Sequence, residues 1–341
     1  MVRNQLVLKT SKIRGNFKNK HILSVDQFER KDLDILFKIA TKMKKRSKKN
    51  DLSLLDICKG KVMAIVFFEP STRTDLSHQA AMRRLGGEVI AASNGIAFSS
   101  TTKGENLADT VRAIGSYADV LVMRSQHKGD VLEAAYYLNK LKEKTNKQVT
   151  IINAGDGTGE HPTQALLDEF TIKEFKGTLD GLNITMVGDL KNGRTVHSLT
   201  KLISKNSNMV NFSFVSPSSL KMPNEITFDL RSKNLKFYET EKLEDVLSRS
   251  DVIYWTRIQK ERFKNEKDYE AVKDMFIMTP KLLSFAKKDA ILMHPLPRKD
   301  EMGTQKDHDI LDEDPRSIYF QQMENGMYVR MALLALTQGN Y

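Results

Sequence analysis

The chain has 341 residues, enough for two compact domains with separate cores. Forty per cent of the residues are hydrophobic and 28% charged, an ordinary globular composition, and no apolar run is long enough to cross a bilayer. A single cysteine, Cys58, excludes an intrachain disulfide framework and points to a reducing, cytoplasmic setting.

The formal net charge is +11, which at first suggests nucleic acid. Its distribution argues otherwise. Residues 1–20 carry Arg3, Lys9, Lys12, Arg14, Lys18 and Lys20 with no acid, and are expected to form a disordered basic leader that leaves organellar import open. The second block, 42–49, carries six more basic residues and fits a solvated helix face. Neither block has the interleaved aromatics of a single-strand binder, so neither nucleic acid nor a membrane is expected as a partner.

Along the chain, short apolar runs alternate with helical patterns, which predicts an α/β fold with parallel sheets. The strand candidates are 62–68, 118–123, 149–153, 183–188, 210–215, 251–256 and 290–293. Most are apolar on both faces, as strands covered by helices on each side must be. Helical patterns cover 74–85, 162–175, 194–204, 242–248 and a long final stretch at 315–337. Pro162 suits a first helical position, and Gly86 suits the residue just past a helix end. The Lys-Gly-Thr-Leu-Asp-Gly interruption near 176–181 predicts a domain break. One expected domain is 21–175 plus a C-terminal helix at 315–341; the other is 176–314.

In open parallel sheets, ligands bind outside the carboxyl ends of the strands. At those ends the chain places Ser71-Thr72-Arg73-Thr74, Arg124, His161 with Gln164 a turn later, Arg194, Arg257 and the run His294-Pro295-Leu296-Pro297-Arg298. Arginine presents a planar fork of donors that meets carboxylate or phosphate oxygens two at a time. Several such forks predict a small substrate with several anionic groups. Individually, the Ser/Thr run could be a helix cap, His161 a packed histidine, and Arg194 or Arg257 a surface ion-pair residue. Two glycine patterns are dismissed. The 188–195 stretch nearly spells a phosphate-binding loop but has Arg194 where lysine is required. Gly155, Gly157 and Gly159 fall one residue short of a dinucleotide fingerprint, and Glu160 would face the pyrophosphate.

Taken together, these segments resemble the transcarbamoylase family over about 21–336. Phe67-Phe68-Glu69-Pro70-Ser71-Thr72-Arg73-Thr74 is similar to the family's carbamoyl-phosphate loop. Lys103-Gly104-Glu105, within 99–109, is similar to its mobile lysine loop, and His161-Pro162-Thr163-Gln164 to the segment that holds the carbamoyl group. The ornithine branch usually reads His-Pro-Cys-Gln and His-Cys-Leu-Pro where this chain has His161-Pro162-Thr163-Gln164 and His294-Pro295-Leu296-Pro297. The runs 193–198 and 256–262 resemble the aspartate branch. Two arginines, Arg194 and Arg257, also suit two carboxylates better than a cationic side chain.

The resemblance implies two doubly wound parallel-sheet domains with the active site in the cleft between them. The implied reaction moves the carbamoyl group of carbamoyl phosphate to the amine of L-aspartate, giving N-carbamoyl-L-aspartate and phosphate, an early step of pyrimidine synthesis. Ser71, Thr72, Arg73, Thr74 and Arg124 would hold the phosphate. Arg73, Thr74 and His161 would donate to the carbamoyl oxygen, while Gln164 and the carbonyls of Leu296 and Pro297 would accept from its NH2. Arg194, Arg257 and Gln259 would fix aspartate. Ser99 and Lys103 would act on a neighbouring subunit's site in a homotrimer, and Glu69 and Arg262 would support Arg194 or domain closure. No metal and no organic cofactor is implied. Asp75 departs from the family pattern, since basic residues are common there, and an inward carboxylate would weaken phosphate binding. The rival readings are an ornithine-type carbamoyltransferase, a non-catalytic anion-binding relative, and a nucleotide phosphatase or kinase built on the imperfect phosphate loop.

Overall fold

The computed structural model describes residues 10–91, 104–263, 265–303, 307, 309–339 and 341, with the side chain of residue 261 left aside. Its contacts divide the chain into two units, Met1–Leu166 with Gly326–Tyr341, and Leu167–Asn325.

The first unit is built on strands β1 (Val62–Phe67), β2 (Glu88–Ala91), β3 (Val120–Ser125) and β4 (Thr150–Asp156), all parallel, in the order β2-β1-β3-β4. Every residue of β3 and β4 is buried, which is why those runs lack polar alternation. Helices α1 (Arg30–Lys48), α2 (Thr72–Arg84), α3 (Leu107–Tyr117) and α4 (Asp130–Thr145) lie in this unit. Ala64, Val66, Leu121 and Met123 pack with Val111 of α3 and Val131, Ala135 and Leu138 of α4. Burial of each Val, Leu and Met side chain among these contributes about 1.5–3 kcal/mol.

The Lys-rich block 42–49 forms the end of α1, where positive charge suits the helix dipole and Lys42, Lys45, Lys48 and Lys49 face solvent. The packed chain begins inside the stretch expected as a leader. Ile13 and Phe17 are buried, the Phe17 ring packs at a tilt against Phe28, and the Gly15 N–H donates to Asp32 at 2.6 Å. Residues 1–9 lie outside the described residues.

The second unit holds strands β5 (Asn183–Val187), β6 (Asn211–Val215), β7 (Lys236–Thr240), β8 (Val252–Trp255) and β9 (Ile291–Met293), parallel, in the order β7-β6-β5-β8-β9. Helix α5 (Pro162–Lys176) begins in the first unit and continues into the second, followed by α6 (Arg194–Asn206), α7 (Asn224–Ser232), α8 (Glu244–Leu247), α9 (Glu266–Glu270) and α10 (Pro280–Ser284). Helix α11 (Tyr319–Gln338) runs back into the first. Trp255, Val187, Ile253 and Leu292 centre the core of the second unit. Asp168 is fully buried there and accepts from Tyr254 Oη and Gln322 Nε2, each at 2.7 Å, which satisfies both its oxygens.

In both sheets the strand order reverses once, between β1 and β3 and between β5 and β8. At such a point the loops leave in opposite directions and open a crevice at the carboxyl end of the sheet.

Candidate active site

In the first unit the reversal point is flanked by two of the expected anion-binding segments. Phe67 of β1 pairs in register with Arg124 of β3, and the Phe68 N–H donates to the Arg124 carbonyl at 2.9 Å. After Phe68, the chain turns through Glu69-Pro70 into α2. Ser71 occupies the cap position with an extended backbone, φ −160°, yet its hydroxyl makes no capping bond. The helix start therefore keeps hydroxyls and main-chain N–H groups available for an anion, with Thr72 exposed, Arg73 half-buried and Thr74 buried. Asp75 is turned aside: its Oδ1 accepts from Gln79 Nε2 at 2.7 Å, one helical turn on.

Arg124 is held on two sides. Nη1 donates to the Ala154 carbonyl at 3.1 Å and Nη2 meets Glu69 Oε1 at 3.0 Å, with the guanidinium side chain only 9% exposed. His161 is buried immediately before α5, its carbonyl accepting the N–H of Gln164 at 3.0 Å, and its Nδ1 lies 3.4 Å from Thr163 Oγ1. Gln164 is half-buried one turn into that helix start. Arg330 of α11 reaches the same threonine, Nη2 to Oγ1 at 3.5 Å. Glu160 takes Ser24 Oγ at 2.7 Å and the Val25 N–H at 2.8 Å, so its carboxylate is committed to the N-terminal segment. Ser99 and Lys103 lie outside the described residues.

The second unit repeats the arrangement. Arg194 starts α6 after β5, and Arg257 follows β8, so the two arginines leave the strands on either side of the reversal. Both are half-buried, as is Gln259. Gly188 sits between them at φ +114°, where an added Cβ would collide with the Thr256 carbonyl oxygen. Asp189 is fully buried and accepts the main-chain N–H of Asn192 at 3.0 Å, and the N–H groups of Lys191 and Gln259 face its carboxylate and favour its charge. Burial pushes its carboxyl above the usual range, and these donors pull it partly back. This one carboxylate ties the Arg194 loop to the Arg257–Gln259 loop. Within the near match at 188–195 it takes the Asn192 N–H, one of the groups a nucleotide phosphate loop would turn toward its ligand. Arg262, half-buried in the short turn after Gln259, has an Nε without a hydrogen-bond partner among the described residues.

Beyond β9, His294 is buried against Glu301, and Leu296 adopts φ +52° ahead of a cis bond to the exposed Pro297. Arg298 is engaged by both oxygens of Asp312 and by Tyr319 Oη. Asp189, Glu301 and Arg330 were not singled out from sequence, and His294 entered only as the first residue of the run 294–298. The available signal for Asp189 was a charged residue one step beyond a buried strand.

A family model for the carbamoyl-phosphate-binding domain of aspartate/ornithine carbamoyltransferases matches residues 20–174, and the model of their aspartate/ornithine-binding domain matches residues 180–337. The chain belongs to the aspartate/ornithine carbamoyltransferase family. Among relatives, the multifunctional protein pyr1-3 of Dictyostelium discoideum is 50% identical over 94% of this chain, which spans 14% of that much longer protein. The aspartate carbamoyltransferase catalytic subunit of Clostridium kluyveri is 44% identical over 93% of this chain and 97% of its own length. The crystal structure of Trypanosoma cruzi aspartate transcarbamoylase with N-(phosphonacetyl)-L-aspartic acid superimposes with a TM-score of 0.85, at 41% identity, covering 94% of this chain and 96% of that one. The two family domains correspond to the two parallel sheets, of four and five strands. Among the described residues, no helix is long and apolar enough to cross a membrane.

Proposed function

We propose that the chain transfers the carbamoyl group of carbamoyl phosphate to the amine of L-aspartate, giving N-carbamoyl-L-aspartate and phosphate for pyrimidine synthesis. The observation that carries this reading is the placement of Arg194 and Arg257 directly after β5 and β8, the two strands that flank the reversal point of the second sheet. Two guanidinium forks suit a substrate with two carboxylates. An ornithine substrate would bring a cationic side chain among them. Within this reading, 21–175 with 315–341 bind carbamoyl phosphate, and 176–314 bind aspartate. The reducing environment expected for Cys58 suits the cytoplasm.

The start of α2 and Arg124 hold the phosphate, using N–H groups, hydroxyls of Ser71, Thr72 and Thr74, and guanidinium donors. As the aspartate amine attacks the carbonyl carbon, charge builds on the carbamoyl oxygen, where Arg73, Thr74 and His161 donate. Losing one such donor costs on the order of a hundredfold in rate. Gln164 and the carbonyls of Leu296 and Pro297 accept from the carbamoyl NH2. Arg194, Arg257 and Gln259 hold the aspartate carboxylates, so that attack proceeds as if intramolecular. The carbon–oxygen bond to phosphate then breaks, and the departing phosphate takes the ammonium proton. Glu69 and Arg262 support the arginines and domain closure. Ser99 and Lys103 complete the site of a neighbouring subunit in a homotrimer.

Two experiments test this reading. Formation of carbamoyl aspartate is assayed beside ornithine for wild type and Arg257→Ala. The variant raises the aspartate KM about 10- to 100-fold, as loss of a charge-assisted pair should, with little change for carbamoyl phosphate. Turnover of ornithine in place of aspartate would overturn the substrate assignment. For the shared site, inactive Arg73→Ala and Lys103→Ala proteins are mixed; proven subunit exchange without recovered activity would defeat it.

A further inference from the structure

The buried pair His294 and Glu301 takes no direct part in the proposed chemistry, yet it stands directly behind two groups that do. Their side chains are 1% and 8% exposed, and His294 Nε2 lies 2.9 Å from Glu301 Oε1. On the other side of the ring, the main-chain N–H of Leu296 points to Nδ1 at 2.8 Å. A main-chain N–H can only donate, so Nδ1 carries the lone pair and the ring proton sits on Nε2, facing the carboxylate.

The rest of the pair is equally fixed. The His294 N–H donates to Gln322 Oε1 at 2.9 Å, and the Lys299 N–H reaches both Glu301 oxygens at 3.1 Å. Burial pushes the Glu301 carboxyl up, but the bonds from His294 and Lys299 more than offset this and hold it below its ordinary range. The carboxylate is thus ionised and keeps the histidine proton on the side away from Leu296.

What the ring holds is an uncommon backbone. Leu296 sits at φ +52°, a conformation that side-chain-bearing residues seldom adopt unless the surroundings impose it. A rotation there would swing the carbonyls of Leu296 and Pro297 together. We propose that Glu301 and His294 form a positioning couple that aims these two carbonyls at the carbamoyl NH2, and so sets the preference for carbamoyl phosphate over acyl phosphates that lack an N–H. The inference rests on the proposed function, and specifically on those carbonyls as the acceptors.

The probe is acetyl phosphate, in which a methyl group replaces the NH2. Affinities for carbamoyl phosphate, acetyl phosphate and inorganic phosphate are measured for wild type, His294→Asn and His294→Gln, with the melting temperature as a folding control. Asparagine can return an oxygen to the Nδ1 position; glutamine extends toward Nε2 and leaves the Leu296 N–H unmet. His294→Gln loses about tenfold or more in kcat/KM for carbamoyl phosphate while phosphate and acetyl phosphate affinities hold, and His294→Asn recovers most of the loss. Equal loss in both variants, or a wild-type ratio of carbamoyl to acetyl phosphate affinity in His294→Gln, overturns the inference alone. A wild-type protein that binds both acyl phosphates equally overturns the acceptor reading of Leu296 and Pro297 and the inference with it. Nitrogen NMR of the unsubstituted protein gives a second measurement independent of folding in any variant. A proton found on Nδ1 of His294 sinks the proposal.

Discussion

Glu69 and Arg124 form a 3.0 Å ion pair at the end of the first sheet, and the arginine's other terminal nitrogen is bound to the Ala154 carbonyl. The pair has two opposed effects on an incoming phosphate. It fixes the plane of the guanidinium, which favours binding, and it places a negative charge close by, which disfavours it. The substitutions Glu69→Gln and Glu69→Ala separate these effects. Glutamine keeps an acceptor for Arg124 without the charge, so inorganic phosphate should bind as tightly as to wild type or a few-fold tighter. Alanine frees the guanidinium and should weaken binding about tenfold. Calorimetric titration with phosphate checks both, and a glutamine variant that binds as poorly as alanine would show that the charge itself holds the site together.

On the second sheet, Asp189 has the corresponding role for the aspartate half of the site. Its buried carboxylate receives N–H groups from both loops that carry the arginines. Asp189→Ala leaves those donors unmet and lets Arg194 and Arg257 move independently. The expected result is a rise of about tenfold or more in aspartate KM, with the phosphate affinity of the first unit unchanged. Steady-state kinetics with each substrate varied in turn decides it; equal loss for both substrates would mean that the substitution unfolds the loop region generally.

Most of the strands were legible in the sequence because they are apolar on both faces. Strands β1, β3, β4, β5, β6, β8 and β9 each overlap one of the runs singled out, with bounds shifted by one to three residues. Strands β2 and β7 were missed: half or more of their residues are exposed, the Val89-Ile90-Ala91 run of β2 is short, and β7 has no apolar run. Helices α1, α3, α4, α7, α9 and α10 were likewise not delimited, although α1 carries Leu33, Leu36, Phe37, Ala40 and Met43 at helical spacing. The substrate-contacting candidates were legible because each lies in a contiguous loop motif. Their supports were not. Glu69 meets Arg124 across 55 residues of chain, and Asp189 meets Gln259 across a strand pairing; neither contact has a local signature. The position of Asp75 also needed coordinates, which show its Oδ1 accepting from Gln79 one turn along the helix.

His78 gives the first unit a sensitivity to acid. It is fully buried in α2, with Nδ1 2.7 Å from the Thr74 carbonyl, and Nε2 meets no partner among the described residues. Burial, with a smaller contribution from the Arg330 charge, holds its pKa well below the ordinary 6.5. In the unfolded chain the ring protonates near its ordinary pKa, while in the folded protein it stays neutral. Its contribution to stability is therefore complete above about pH 6.5 and is lost as pH falls toward the depressed folded value, at up to about 1.4 kcal/mol per pH unit. His78→Phe removes that titration. Urea unfolding at pH 7.5 and pH 5 should show a smaller acid loss in the variant than in wild type, and an identical loss in both would mean that His78 protonates without cost.

Cys58 reports on the opening of the same unit. It is buried against the end of α2, its N–H bonded to the Leu85 carbonyl at 2.8 Å, and burial pushes its thiol up to about 12. At pH 8 the folded protein then holds very little of the thiolate, the form that reacts with alkylating and disulfide reagents. Native protein should resist labelling that goes to one equivalent in denaturant. The residual native rate measures how often the unit opens around α2. A ligand that binds only the closed form lowers that rate in proportion to its occupancy. Carbamoyl phosphate or inorganic phosphate, held at the start of α2, should slow labelling, and aspartate alone should not. If aspartate alone protects Cys58 as well as phosphate does, the assignment of the two substrates to separate sheets is wrong.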